Sequence, residues 1–151
     1  MQGYWGQAEE SAKVLQDGWL ATGDIAVMDR EGFLRIVDRK KDMVLVSGFN
    51  VYPNEVEDAI AQMPSVLEVA VIGIPDDTTG EAVRAYVVPN PDHAGDVSAE
   101  EVVAHCKKQL TAYKVPRQVI VRDELPKSPI GKVLRKELRA EALAELGAQR
   151  S

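Results

Sequence analysis

Two β-branched runs dominate the middle of this chain and constrain its fold more than any other feature. Leu67 to Ile74 and Val83 to Val88 are almost continuously apolar, and Pro75-Asp76-Asp77-Thr78-Thr79-Gly80 separates them. Each run is strand-length, and the residues between are turn formers, so they read as paired core strands. Helical patterns flank them. Pro53 is placed as the first residue of a helix whose Val56, Ala59, Ile60 and Met63 form an apolar stripe, and Pro64 ends it. Ser98 and Glu101 make a capping box that opens a second helix carrying Val102, Val103, Cys106 and Leu110. Residues 89 to 97 read as a loop, Val119 to Val121 as a further strand, and about Val133 to Leu146 as a last helix. A short strand, Asp42 to Val46, stands in front and ends at Ser47-Gly48. From residue 42 the pattern is therefore β-α-β-β-α-β-α. This is an α+β fold, a small mixed sheet covered by helices.

The first 38 residues do not fit that domain. Residues 8 to 16 read as a short amphipathic helix ending at Asp17-Gly18. Ile25 to Met28 and Phe33 to Val37 are β-rich and flank Asp29-Arg30-Glu31-Gly32, a hairpin turn. Trp5, Trp19 and Phe33 have few apolar partners nearby in sequence. The segment reads as a β-hairpin remnant, the trailing edge of a preceding domain, with the charged run Asp38 to Lys41 as its boundary.

Composition narrows the function. With 45% apolar and 28% charged residues in 151, the chain has the makeup of an ordinary globular domain plus an appendage. No apolar run approaches the ~20 residues of a membrane-spanning helix, and the start lacks the basic-then-apolar order of a secretory signal. A single cysteine, Cys106, allows no internal disulfide and fits a reducing, cytoplasmic setting. A net charge of −6 argues against nucleic-acid binding. His93 and His105 lack metal-ligand spacing, so no metal site is expected. Cys106 on its apolar helix face, Met43 and Met63 read as packing groups.

Chemistry is concentrated in four short segments. Ala21-Thr22-Gly23-Asp24, Asp38-Arg39-Lys40-Lys41-Asp42, Val46-Ser47-Gly48-Phe49-Asn50-Val51-Tyr52-Pro53 and Lys127-Ser128-Pro129-Ile130-Gly131-Lys132 supply a carboxylate, a guanidinium and an ammonium in a fixed order. Such a set suits a nucleotide, the carboxylate for ribose hydroxyls and the cations for phosphate. Gly18 to Asp24, Ile36 to Asp42 and Lys127 to Lys132 resemble three core motifs of the AMP-forming, adenylate-forming enzymes. Val46 to Glu55 is most similar to bacterial long-chain fatty-acid:CoA ligases (acyl-CoA synthetases). The resemblance covers essentially the whole chain.

It implies a role for each matching residue, and each has a plainer alternative. Lys132 matches the catalytic lysine that stabilises the anionic α-phosphate during adenylation; alone it would read as a surface lysine. Asp24 matches the aspartate that holds the ATP ribose, against a turn aspartate satisfying local N–H groups. Arg39 matches a contact to the ribose and phosphate of ATP or AMP, against an ion pair with Asp38 or Asp42. Lys41 matches the hinge, against a solvated lysine. Ser47, Gly48 and Phe49 match the coenzyme A (pantetheine) loop, against an ordinary strand-ending turn. Glu55 reads as a cap for the helix at Pro53. Leu45 stands where some relatives carry a lysine near the adenylate, so no ammonium is assigned there.

The implied organisation is residues 1–38 from a large N-terminal adenylation domain, a hinge at 39–41, and a C-terminal lid at 42–151. The parent enzyme would use fatty acid, ATP, Mg²⁺ and coenzyme A, with peripheral membrane contact admitted for it, and this chain would be inactive alone. The chain itself is expected to bind none of these tightly. Two other readings stand beside this one. One is a free-standing interaction module, self-associating as a homo-oligomer through exposed apolar surface. The other is the lid of a different adenylate-forming enzyme.

Overall fold

The computed structural model describes residues 1–93 and 97–149. It divides into two compact units, Met1–Lys41 and Asp42–Ser151.

In the first unit, α1 (Ala8–Val14) leads into a hairpin of β1 (Leu15–Gln16) and β2 (Trp19–Leu20). The helix is shorter than the sequence pattern predicts. Asp17 (φ 51°) and Gly18 (φ 83°) both adopt left-handed backbone, and two such residues in succession turn a chain back as an antiparallel ribbon. A second hairpin pairs β3 (Asp24–Met28) with β4 (Leu34–Arg39). Its turn is organised by Asp29, whose Oδ1 accepts from the N–H groups of Glu31 and Phe33, both at 2.9 Å. Asp38 is the one buried residue among 1–41.

The second unit is built on a five-stranded sheet of β5 (Val44–Val46), β6 (Phe49–Val51), β7 (Val66–Asp76), β8 (Gly80–Pro89) and β9 (Gln118–Val121), ordered β6-β5-β8-β7 with β9 also pairing β8. The central pair is β7 (Val66–Asp76) and β8 (Gly80–Pro89), antiparallel along almost their full length. β9 (Gln118–Val121) runs parallel to β8, so the sheet is mixed, as predicted. One strand was not foreseen. Ser47 (φ 50°) and Gly48 (φ 85°) form a two-residue turn joining β5 (Val44–Val46) to β6 (Phe49–Val51), so the predicted strand end at Ser47-Gly48 continues into another strand. The loop predicted at 89–97 is described only in part, since residues 94–96 lie outside the described residues.

Near-continuous apolarity in β7 and β8 has a direct structural cause: both faces of the sheet are covered. Successive strand residues point to opposite faces. Val71, Val83, Ala85 and Val87 therefore pack with Val56 and Ile60 of α2 (Pro53–Ile60) and Val102 and Cys106 of α3 (Ala99–Gln109). Ala70, Ile72, Ala82, Tyr86 and Val88 pack instead with Leu138 and Ala142 of α4 (Arg135–Gln149). α3 opens with the predicted capping box, Ser98 Oγ accepting from Glu101 N while the Glu101 carboxylate returns to Ser98 N. α4 starts at Arg135 rather than Val133, because Val133 is bridged to Lys127. Cys106 is fully buried, and burial pushes its thiol up to about 11, as suits a packing residue.

The outer edge of β7 is closed by an ion pair. Glu57 of α2 accepts the outward-facing N–H of Val71 at 2.7 Å and also meets Arg135 of α4, Nη2 to Oε2 at 2.7 Å. Two helices on opposite faces are thus tied across the strand edge, which also blocks it to other chains.

Candidate functional site

In the first unit the antiparallel register of β3 and β4 sets Asp24 opposite Arg39. Their side chains meet, Arg39 Nε lying 3.1 Å from Asp24 Oδ1. Gly23, at φ 74°, gives the sharp entry to the strand, and its carbonyl accepts from Lys40 N at 2.8 Å. The ion pair that Arg39 makes is with Asp24, rather than with the Asp38 or Asp42 of the plainer alternative. Asp38 accepts the backbone N–H of Arg39, at 2.7 Å. Asp42 faces Arg139 at 3.8 Å and Arg135 at 3.9 Å instead. Lys40 and Lys41 form the turn after β4, and Lys41 is exposed at the division between the units.

Lys132 stands on a turn that is locked to its own flanks. Ser128 N donates to Lys132 O and Gly131 N to Ser128 O, both at 2.8 Å, while Lys132 N donates to Ser128 Oγ at 3.1 Å. Gly131 sits at φ 80°, where a side chain would be strained. Behind the turn, Lys127 pairs with Glu68 near the start of β7, and Leu134 N donates to Pro126 O just before α4. Lys132 is exposed and makes no ion pair among the described residues. Ile130, 80% exposed, forms the tip beside it.

Ser47 and Gly48 occupy the β5–β6 turn, and Ser47 N donates to Thr79 O at 2.8 Å. Phe49 follows, its ring stacked on Tyr113 with centroids 4.8 Å apart and planes at 21°. Lys114, beside that tyrosine, pairs with Glu55 at 2.6 Å. The predicted capping role of Glu55 is therefore corrected: no side chain caps α2, and Glu55 reaches the 3₁₀ turn at Ala112–Lys114. Beside the Ser47 turn lies an open groove of about 470 Å³, bordered by Ser47, Thr79, Tyr113, Pro116, Lys107 and Arg117.

The Lys132 turn and the Ser47 turn are anchored at different ends of one hairpin. The Lys132 turn is anchored at Glu68, and the Ser47 turn at Thr79, just beyond Asp76. From Glu68 to Asp76 a strand covers about 26 Å at ~3.3 Å per residue. One end of the β7–β8 hairpin carries the ammonium, the other the Gly-containing turn and its aromatic stack.

A family model described as the AMP-binding enzyme C-terminal domain matches residues 55–132, ending on Lys132 itself. The chain belongs to this family. It is 60% identical over 93% of its length to a long-chain-fatty-acid--CoA ligase of Yersinia pestis, and 47% identical over 93% to one of Bacillus subtilis. In each case it covers 25% of the relative, so the chain spans about a quarter of the curated relatives it matches. Among solved structures, ATP-bound MatB from Rhodopseudomonas palustris superposes with a TM-score of 0.85 at 38% identity, over 93% of this chain and 28% of that one. A Mycobacterium tuberculosis fatty acyl CoA synthetase gives 0.71 at 42% identity, over 95% and 28%. The structural neighbours of this α+β fold are thus parts of adenylate-forming enzymes.

Within the AMP-binding C-terminal fold the sequence reading missed Tyr113, Asp76 and Thr79. Tyr113 lay in a stretch with no periodic signal. Asp76-Asp77-Thr78-Thr79-Gly80 was read only as a turn, although aspartate followed by threonines is a known pattern for side chain-to-backbone bonding. The Mg²⁺ implied for the parent reaction has no donor set here: among the described residues no three His, Cys, Asp or Glu side chains converge. No described helix is long and apolar enough to cross a membrane.

Proposed function

We propose that this chain is the C-terminal lid of an AMP-forming long-chain acyl-CoA ligase, joined to the last stretch of its large adenylation domain. One observation carries the reading. The Lys132 turn and the Ser47–Gly48 turn are tied to opposite ends of the β7–β8 hairpin, an arrangement that suits a lid serving two successive reactions.

In the first reaction a fatty-acid carboxylate oxygen attacks the α-phosphorus of ATP, and pyrophosphate leaves. Negative charge builds on the α-phosphate oxygens, and the Lys132 ammonium meets it there. An interaction present mainly in the transition state lowers the barrier rather than merely tightening binding. Asp24 accepts hydrogen bonds from the ribose hydroxyls, and Arg39, already bonded to it, turns its remaining donors to the nucleotide. In the second reaction the thiol of coenzyme A loses its proton and attacks the acyl carbonyl, and AMP departs as leaving group. Ser47, Gly48 and Phe49 line its approach, with Gly48 letting backbone lie close to the thiol arm. Lys41 is the hinge residue that absorbs the backbone change between the two states. Mg²⁺, ATP and fatty acid would be bound by the large domain, and no step is assigned to the metal on this chain.

The test uses the Yersinia pestis relative with this chain substituted for its matching quarter. The substituted enzyme is expected to make palmitoyl-CoA, whereas the 151-residue chain alone makes none. Lys132→Ala should lower acyl-adenylate formation by about 10²- to 10³-fold, while thioester formation from supplied acyl-adenylate persists. Palmitoyl-CoA from the isolated chain, or equal loss of both steps, would sink the reading. A folded but inactive substituted enzyme, with a sedimenting mass that rises with concentration, would favour the self-associating interaction module.

A further inference from the structure

The Ser47–Gly48 turn is exposed, and its backbone is held in an uncommon conformation. Ser47 holds a left-handed backbone that a residue with a Cβ adopts at a steric cost. Val44, Val46 and Val51 anchor the β5–β6 ribbon in the core, while few backbone hydrogen bonds tie its turn to the main sheet. Register pairing of β5 with β8 is confined to Val46 opposite Gly80. Leu45 N donates to the Glu81 carboxylate at 2.7 Å, and Ser47 N donates to Thr79 O. At the turn itself, the Thr79 carbonyl is the tie that fixes the Ser47 amide.

Thr79 is in turn placed by one carboxylate. Asp76 Oδ1 accepts from Thr79 N at 2.9 Å and from Thr78 N at 3.0 Å, and lies 2.8 Å from Thr79 Oγ1. The same hydroxyl lies 2.7 Å from Glu81 O, so its proton is shared between two acceptors. The second oxygen, Oδ2, pairs with Arg117 on the approach to β9. A carboxylate accepting so many donors is well suited to fixing a loop in one geometry. Those bonds from Thr79, outweighing desolvation, hold the Asp76 carboxyl down at about 2, so it stays ionised at neutral pH.

We propose that Asp76 is a positioning residue for the Ser47–Gly48 turn, acting through Thr79, and that it serves the thioester-forming reaction without serving adenylation. This rests on the function proposed above. Asp76 is at the hairpin end opposite the Glu68 anchor of the Lys132 turn. Loosening it should therefore disturb one reaction and spare the other. A carboxylate that merely stabilises the fold would affect both alike.

Two measurements on Asp76→Ala and Asp76→Asn test this. In the substituted Yersinia pestis enzyme, Asp76→Ala should slow thioester formation from supplied acyl-adenylate by about 10- to 100-fold, the scale set by small misplacements of reacting groups. Pyrophosphate release in the first reaction should change by less than about twofold. Asp76→Asn, which keeps an acceptor at Oδ1, should recover part of the lost rate. In the 151-residue chain, amide hydrogen exchange at Ser47 should speed up in Asp76→Ala while the amide of Val71, far along β7, is unchanged. Equal slowing of both reactions, no slowing of either, or unaltered Ser47 exchange in a folded Asp76→Ala would each overturn the proposal. Inactivity of the substituted enzyme with the unaltered chain would instead overturn the functional reading on which it stands.

Discussion

Leu34 and Leu138 are the same residue in opposite circumstances. Leu34, on β4, is 71% exposed, and Met28 and Ile36 on the same hairpin face are exposed with it. Leu138, on α4, is fully buried between Ile72, Tyr86 and their neighbours. The contrast runs through both units. Residues 1–41 consist of one short helix and two two-stranded hairpins with no buried apolar side chain, and Trp5 is wholly exposed. Residues from 42 onward hold two apolar clusters, one on each face of a single sheet. Two-stranded ribbons are marginal on their own in water. A single sheet with helices on both faces supplies its own cover. The second unit supplies its own apolar cover, whereas the first leaves the face of Met28, Leu34 and Ile36 exposed.

The sharpest way to break this comparison is to remove apolar volume from the second unit. Leu138→Ala should destabilise it by about 2–5 kcal/mol, since the helix and strands around it can collapse only partly into the space. Urea unfolding followed by far-UV circular dichroism reads this directly, because α2, α3 and α4 dominate that signal. A loss below about 1 kcal/mol would mean that the α4 face is not a close-packed core.

A smaller effect is expected at the start of α3. Ser98→Ala removes the acceptor for Glu101 N and one half of the capping box. The cost should be about 1 kcal/mol, seen as a lower urea midpoint with an unchanged slope. Ser98→Asp should keep most of the stability, since a carboxylate caps the same N–H and suits the positive end of the helix dipole. If both variants lose equally, the hydroxyl is serving some other contact.

How much of this was legible in advance follows from how local each cause is. The Ser98–Glu101 box, the Pro53 helix start and the paired core strands are written in adjacent residues, and the structure has them where the pattern places them. β6 was missed because its signal is a serine taking up left-handed backbone, a state the residue type does not advertise. The start of α4 was displaced by a bridge between Lys127 and Val133. Pairs such as Glu57–Arg135 and Lys114–Glu55 join residues far apart in sequence, so only the fold reveals them. The plainer alternative for Arg39 paired it with Asp38 or Asp42, whereas strand register sets it against Asp24. The candidate site behaved likewise. Its motif residues could be picked out by resemblance, whereas the separation of Lys132 from Ser47 depends on which end of a hairpin each is tied to.

The smallest expected effect is the most informative about the first unit. Leu34→Ala in the 151-residue chain should change stability by no more than about 0.5 kcal/mol, because the side chain already faces solvent. Both tryptophans, Trp5 and Trp19, lie in this unit and are exposed, so their emission should shift little on unfolding. The same substitution in the substituted Yersinia pestis enzyme should behave differently. If the face of Met28, Leu34 and Ile36 is buried against a large domain there, Leu34→Ala should approach the cost of Leu138→Ala, about 2–5 kcal/mol. A negligible cost in both settings would mean that the exposed face stays uncovered even in the complete enzyme, and residues 1–38 would then lose their proposed assignment to the large domain. A large cost in the isolated chain would point to a second copy covering the face, and would show as a stability that rises with protein concentration.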